Sequence, residues 1–144
     1  MVVTIAGLWE LGWTAPISEI DLWNVICIEF NIQKLLMVPV TGVHNKCKVL
    51  QETNDLPTVL KEINFPIIIF DELAENTLED LIHPNDCVYL FGKATRSGVD
   101  LARDSKLPYT AVRVKTPANK GSLWAFHIAS IVLYDRQVKA WLQQ

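Results

Sequence analysis

Short strand-like runs alternate with helical patterns along the whole of this 144-residue chain, and that alternation restricts its fold more than any other feature. The runs are Val2 to Leu8, Lys34 to Val38, Pro66 to Phe70, Cys87 to Phe91 and Tyr109 to Val114. Most are apolar without a polar alternate, as strands covered on both faces are. Between them, Ser18-Glu19-Ile20-Asp21 has capping-box spacing and predicts a helix to about Phe30. Asp55-Leu56-Pro57 opens a short helix, Thr77 to Ile82 predicts one or two helical turns, and Gly98 to Ser105 a further helix. Ser122 is placed to cap a long helix reaching Leu142. Trp9 to Pro16 and Pro39 to Asn54, the latter with Thr41-Gly42 and Asn45, are loops. The pattern predicts an α/β fold, a mostly parallel sheet flanked by helices. With no repeat, low-complexity tract or linker, 1–144 is expected to be one domain.

The expected environment is the cytoplasm. The three cysteines, Cys27, Cys47 and Cys87, are widely spaced and sit in or beside apolar runs, as buried thiols of a reduced compartment do. They offer no zinc spacing, and no metal is expected. The longest uncharged apolar run, Gly121 to Tyr134, is shorter than the roughly 20 residues of a membrane span, and the first residues lack a basic leader. No membrane partner is expected.

Two helices are more apolar than one sheet can cover. Between Leu123 and Tyr134 only His127 and Ser130 are polar, and between Ile20 and Phe30 only Asp21, Asn24 and Glu29. A helix apolar all round is buried all round. One stripe of the last helix (Trp124, Ile128, Ile131, Val138, Leu142) is expected on the sheet, leaving Leu123, Phe126 and Leu133 for another surface. This predicts a homodimer through 18–30 and 122–142, or else packing of the two helices within one monomer.

The last third concentrates both site-like geometry and positive charge. In an α/β protein, strand ends and helix starts that converge make small-molecule sites, and Leu90-Phe91-Gly92, Arg113-Val114 and Ser122 are such points. Residues 93–120 hold seven of the 13 Lys and Arg against only Asp100 and Asp104, in a chain of net charge −3. The surplus is either a basic face for a polyanion or the solvation of a loop and a helix. The acidic total excludes a protein whose whole surface is a nucleic-acid glove.

The order Leu90-Phe91-Gly92, Thr95-Arg96, Arg113-Val114, Ser122-Leu123 and Ala129-Ser130-Ile131-Val132-Leu133-Tyr134 resembles the SPOUT class of S-adenosylmethionine-dependent RNA methyltransferases. Within it, the small single-domain tRNA and rRNA ribose 2′-O-methyltransferases are most similar. The resemblance implies a C-terminal trefoil knot that forms the S-adenosylmethionine site, and a dimer through the first and last helices. It implies that Leu90, Phe91, Gly92, Val112, Val114, Thr116, Ser122 and Leu123 hold the cofactor, largely by backbone groups. Gly92 has a physical reason to be glycine where backbone presses on a ligand. Arg96, which matches the family's Thr-Arg pair, would join Lys93, Arg113, Lys115 and Lys120 in holding the phosphates of tRNA or rRNA.

The sequence departs from the family at the reactive end. Ribose methylation requires removal of a hydroxyl proton. Asn24 matches a family Asn, but Cys27 stands at the family's Arg, Lys93 and Ala94 replace Pro and Glu, and Trp124 and His127 replace two Asn. The catalytic set this leaves is Asn24, Arg96 and His127, the last as a base near neutral pH or else as a helix histidine hydrogen-bonded in a core or dimer. Glu10 and Asp71-Glu72 follow strands, as site carboxylates or as solvated turn residues. Trp124, with Trp9 and Trp13 in the loop after the first strand, offers a face for a base, whereas Trp23, Trp124 and Trp141 at helical positions are expected as core or interface anchors. The reading is an S-adenosylmethionine-dependent RNA methyltransferase; the alternative is a degenerate knot acting as a dimeric RNA-binding or protein-interaction module. An ordinary dinucleotide-binding domain lacks support, because no Gly-x-Gly-x-x-Gly follows the first strand.

Overall fold

A computed structural model of the chain describes residues 1–10, 16–43, 47–93 and 95–143, and for Pro16 and Ile17 the backbone alone. Trp13, Asn45 and Ala94 lie outside the described residues. In chain order the elements are β1 (Val3–Leu8), α1 (Pro16–Glu29), β2 (Lys34–Val38), β3 (Leu50–Glu52), α2 (Leu56–Ile63) and β4 (Ile67–Phe70). There follow β5 (Asn76–Thr77), a 3-10 turn (Leu78–Asp80), β6 (Cys87–Leu90), α3 (Gly98–Asp104), β7 (Thr110–Arg113) and α4 (Ala125–Leu142). The strands form one sheet in the order β3-β2-β1-β6-β4-β7-β5. Every neighbouring pair is parallel. β6 inserts between the earlier strands β1 and β4, and β7 between β4 and β5.

The apolar runs are continuous because both faces are covered. On one face Ile5, Leu35, Met37, Ile68, Tyr89 and Val112 pack against Trp23 and Ile26 of α1 and Val132 and Leu133 of α4. On the other, Ala6, Leu36, Ile69, Val88 and Leu90 meet Leu56 and Leu60 of α2 and Val99 and Ala102 of α3. Neighbours in sequence thus serve opposite layers, as the two-residue period of a strand requires. Each fully buried Ile or Leu contributes about 1.5–3 kcal/mol.

Helix starts explain where expectation and structure part. α2 is capped by Asp55, whose carboxylate accepts from the Thr58 N–H at 3.3 Å, and α3 by Ser97, which accepts from the Asp100 N–H at 3.1 Å. α1 begins at Pro16, so Ser18 lies inside it and caps nothing. α4 begins at Ala125 with Trp124, not Ser122, at the cap: the Trp124 N–H donates to His127 Nδ1 at 3.0 Å. The expected sheet-facing stripe of α4 is also corrected. Ala129, Val132 and Leu133 face the sheet, whereas Ile131 and Leu142 are exposed. Trp124, Ile128 and Val138 are half-buried. β3 and β5 lie where a loop and a helix start were expected, and 77–82 holds only one 3-10 turn.

Candidate functional site

The C-terminal ends of β1, β4, β6 and β7 lie side by side, and the chain leaving them encloses a cleft of about 370 Å³. That is within the usual range for a small-molecule site. β1 delivers Glu10, β4 Phe70, Asp71 and Glu72, β6 Phe91, Gly92 and Lys93, and the segment after β7 Val114, Thr116 and Asn119. Gly121 to Ala125 with Ile128 of α4 close one side, and Ser97 and Gly98 another. Phe70 and Phe91 stack at 5.3 Å between ring centroids, giving the cleft an aromatic floor, and Trp124 stands at its wall.

Two glycines shape this cleft. After Gly92 the chain doubles back, with Lys93 N–H to Arg96 O at 2.8 Å and Arg96 N–H to Lys93 O at 3.1 Å. A Cβ on Gly92 would lie 2.3 Å from Arg96 O and 2.6 Å from Gly98 N, so no other residue fits without moving backbone. Gly121 has φ +62°, and a Cβ there would lie 2.3 Å from Glu72 Oε2.

The cleft gathers some of the expected residues and not others. Phe91, Gly92, Lys93, Val114, Thr116, Ser122 and Leu123 line it. Leu90 and Val112 are fully buried in the sheet and do not. Asn24 is half-buried on α1 and His127 exposed on α4, and neither is part of the lining. His127 Nδ1 accepts the Trp124 N–H, so a neutral ring carries its proton on Nε2 and has no ring lone pair left for a substrate. Arg96 forms an ion pair with Asp104 outside the cleft. Arg113 is half-buried, its Nε without a hydrogen-bond partner among the described residues, while Lys115 and Lys120 are exposed. Cys27 is buried, and desolvation, reinforced by neighbouring Cys47, pushes its thiol up to about 12. Burial of this kind disfavours the reactive thiolate.

What sequence reasoning leaves undecided is the set of carboxylates, as site groups or solvated turn residues. Glu10, Asp71 and Glu72 face the cleft with Lys93 as the cationic side chain of its lining. Glu10 is the most enclosed, at 8% exposure, and its N–H donates to Glu19 Oε1 at 2.8 Å. The signal was their position immediately after strands, which becomes a site only once strand order sets the ends of β1 and β4 around the end of β6. Among the described residues no cluster of His, Cys, Asp and Glu is suited to hold a metal ion.

No protein-family model and no curated protein sequence matches the chain. Solved structures do. A protein solved for insight into the 2-OH methylation of C/U34 on tRNA is 13% identical with a TM-score of 0.68, over 97% of this chain and 92% of that one. An RNA 2′-O ribose methyltransferase is 12% identical with a TM-score of 0.72, over 97% of this chain and 57% of the other. An S-adenosylmethionine-bound rRNA methyltransferase from Sinorhizobium meliloti is 11% identical with a TM-score of 0.66, over 96% and 56%. At such identities the likeness speaks for the backbone alone: the chain has the α/β fold of these RNA methyltransferases.

Proposed function

We propose that this chain is an S-adenosylmethionine-dependent RNA methyltransferase of the SPOUT class, acting on a ribose hydroxyl of tRNA or rRNA. The observation that carries the reading is the cleft at the ends of β6 and β7, in a backbone that follows an S-adenosylmethionine-bound methyltransferase along nearly its whole length. The lining suits this cofactor: Phe70, backed by the buried Phe91, and Trp124 offer surface to an adenine, and three carboxylates against one lysine complement a cationic sulfonium. Phe91, Gly92, Val114, Thr116, Ser122 and Leu123 would hold it. When bound, the cofactor supplies an electrophilic methyl group.

The remaining work falls to the chain's own side chains. Asn24, Arg96 and His127 lie outside the lining, so the ribose proton goes to a carboxylate, and we assign Glu10, the enclosed one, as its acceptor. Lys93 at the cleft and Lys115 and Lys120 on the exposed loop hold phosphates. We read 1–144 as one cytoplasmic domain with the trefoil knot of its class, dimeric through α1 and α4. Their exposed Leu22, Val25, Ile28, Ile131 and Tyr134 support that contact.

Titration calorimetry with S-adenosylmethionine and S-adenosylhomocysteine tests the reading, with micromolar binding expected. A chain that binds neither at high micromolar concentration is not this enzyme, and the degenerate-module alternative then takes its place. Glu10→Gln is expected to lower single-turnover methyl transfer about 10²-fold or more. Its S-adenosylhomocysteine affinity should stay within about threefold, as for a residue acting on the proton and not on the cofactor.

A further inference from the structure

A second depression lies at the opposite edge of the sheet, about 13 Å of strand away along β4. It has a volume of about 520 Å³ and sits at the N-terminal ends of β4 and β7, where α2 and α3 end. Its charged lining residues are both cationic, Lys61 and Lys106, and its aromatic ones, Phe65 and Tyr109, are each half-buried, packed on one side against the core and open on the other. The helix carbonyl ends carry about half a negative charge each, less than the full positive charge on each lysine. The groove is therefore cationic, whereas the cleft at the other edge is lined by three carboxylates.

The backbone at Lys106 sharpens the point. α3 ends with the Lys106 N–H on Arg103 O at 3.1 Å and the Leu107 N–H on Ala102 O at 3.0 Å, with Lys106 at φ +55°. Glycine ordinarily fills that position of this helix ending, because a left-handed backbone is unfavourable for any residue with a Cβ. The chain sets a long cationic side chain there instead. Asn64 at φ +54° ends α2 on the same groove.

We infer that this groove binds an unpaired nucleotide of RNA, with Lys61 and Lys106 on its phosphates and Tyr109 and Phe65 against its base. Aromatic faces beside lysines are the chemistry of single-strand binding, and a base stacks without being read. The inference rests on the reading of the chain as RNA-acting, and it gives the substrate a second anchor remote from the methylation site.

Fluorescence anisotropy of a labelled single-stranded RNA octamer with the full chain tests it. The variant Lys61→Gln/Lys106→Gly places glycine where the backbone favours it, so thermal stability should hold or rise. RNA affinity should fall about tenfold, and the slope of log affinity against log salt by about 1.4, for two lost phosphate contacts. S-adenosylhomocysteine affinity should not change. Octamers carrying 4-thiouridine should crosslink to Phe65 or Tyr109. An unchanged RNA affinity in the double variant, failure of the wild-type chain to bind RNA, or crosslinks confined to 91–124 would overturn the inference. RNA binding that depends on the two lysines, in a chain that ignores the cofactor, would remove the methyltransferase reading and leave this one standing.

Discussion

Glu52, at the end of β3, is where a single carboxylate holds several loops. It accepts from Trp9 Nε1 at 2.8 Å, Thr41 Oγ1 at 2.6 Å, and the N–H groups of Thr41 and Gly42, each at 3.0 Å. Burial pushes its pKa up, but these donors outweigh it and hold the carboxyl below its ordinary 4.5. A group depressed in the folded state contributes stability above its unfolded pKa and loses it as pH falls through the folded one. Glu52→Gln should therefore cost about 1–2 kcal/mol at neutral pH and less under acid. Urea unfolding at both pH values would register the difference. Trp9 is legible in the sequence only as an aromatic in a loop, a candidate face for a base. Its full burial and this bond make it an anchor instead. That role depends on a carboxylate 43 positions away.

At the scale of elements, α4 is tied down by ions as well as by apolar packing. Arg136 reaches Pro84 O at 2.6 Å, Asn85 O at 2.9 Å and Tyr89 Oη at 3.1 Å, and Lys139 reaches Leu78 O at 2.6 Å and Leu81 O at 2.9 Å. Between them His83 bridges Tyr89 Oη and Asp135 Oδ2, each at 2.7 Å. Because the Asp135 carboxylate only accepts, Nε2–H donates to it, and Nδ1 of the neutral ring is left to accept from the Tyr89 hydroxyl. Burial drives the His83 pKa below 6.5, with Lys139 and Arg136 adding to it and Asp135 opposing. The unfolded chain then takes up a proton first, so stability is full above pH 6.5 and declines as pH falls through the folded pKa. His83→Gln should flatten that decline in melting temperatures measured between about pH 5 and 8. The strands from β1 to β7 that carry four or more residues were legible because apolar runs of that length have few alternatives. β3 and β5, of three and two residues, carry no pattern and exist by pairing at the edges. The cleft was half legible for a similar reason. Gly92 and its neighbours sit in one stretch of sequence, whereas Glu10, Asp71 and Glu72 join them only through strand order.

Taken whole, the molecule leaves large apolar side chains exposed on both α1 and α4. Val25 and Ile28 of α1 are 59% and 65% exposed, and Tyr134 and Trp141 of α4 are 57% and 53%. The two helices touch through Trp23 and Phe126. Val25→Glu/Ile28→Glu should halve the mass seen by light scattering at micromolar concentration while leaving circular dichroism unchanged. A wild-type chain that is itself monomeric would rule out the dimer. The order of strands bears on how this chain acquires its shape. Val3 pairs with Cys87, and β4 gains its second neighbour only with β7. Until β6 has been synthesised, β1 and β4 each present a bare edge able to recruit another nascent chain. Pairing β1 with β6 joins positions more than 80 apart, and such non-local pairing is expected to slow folding and to prolong the exposure of those edges.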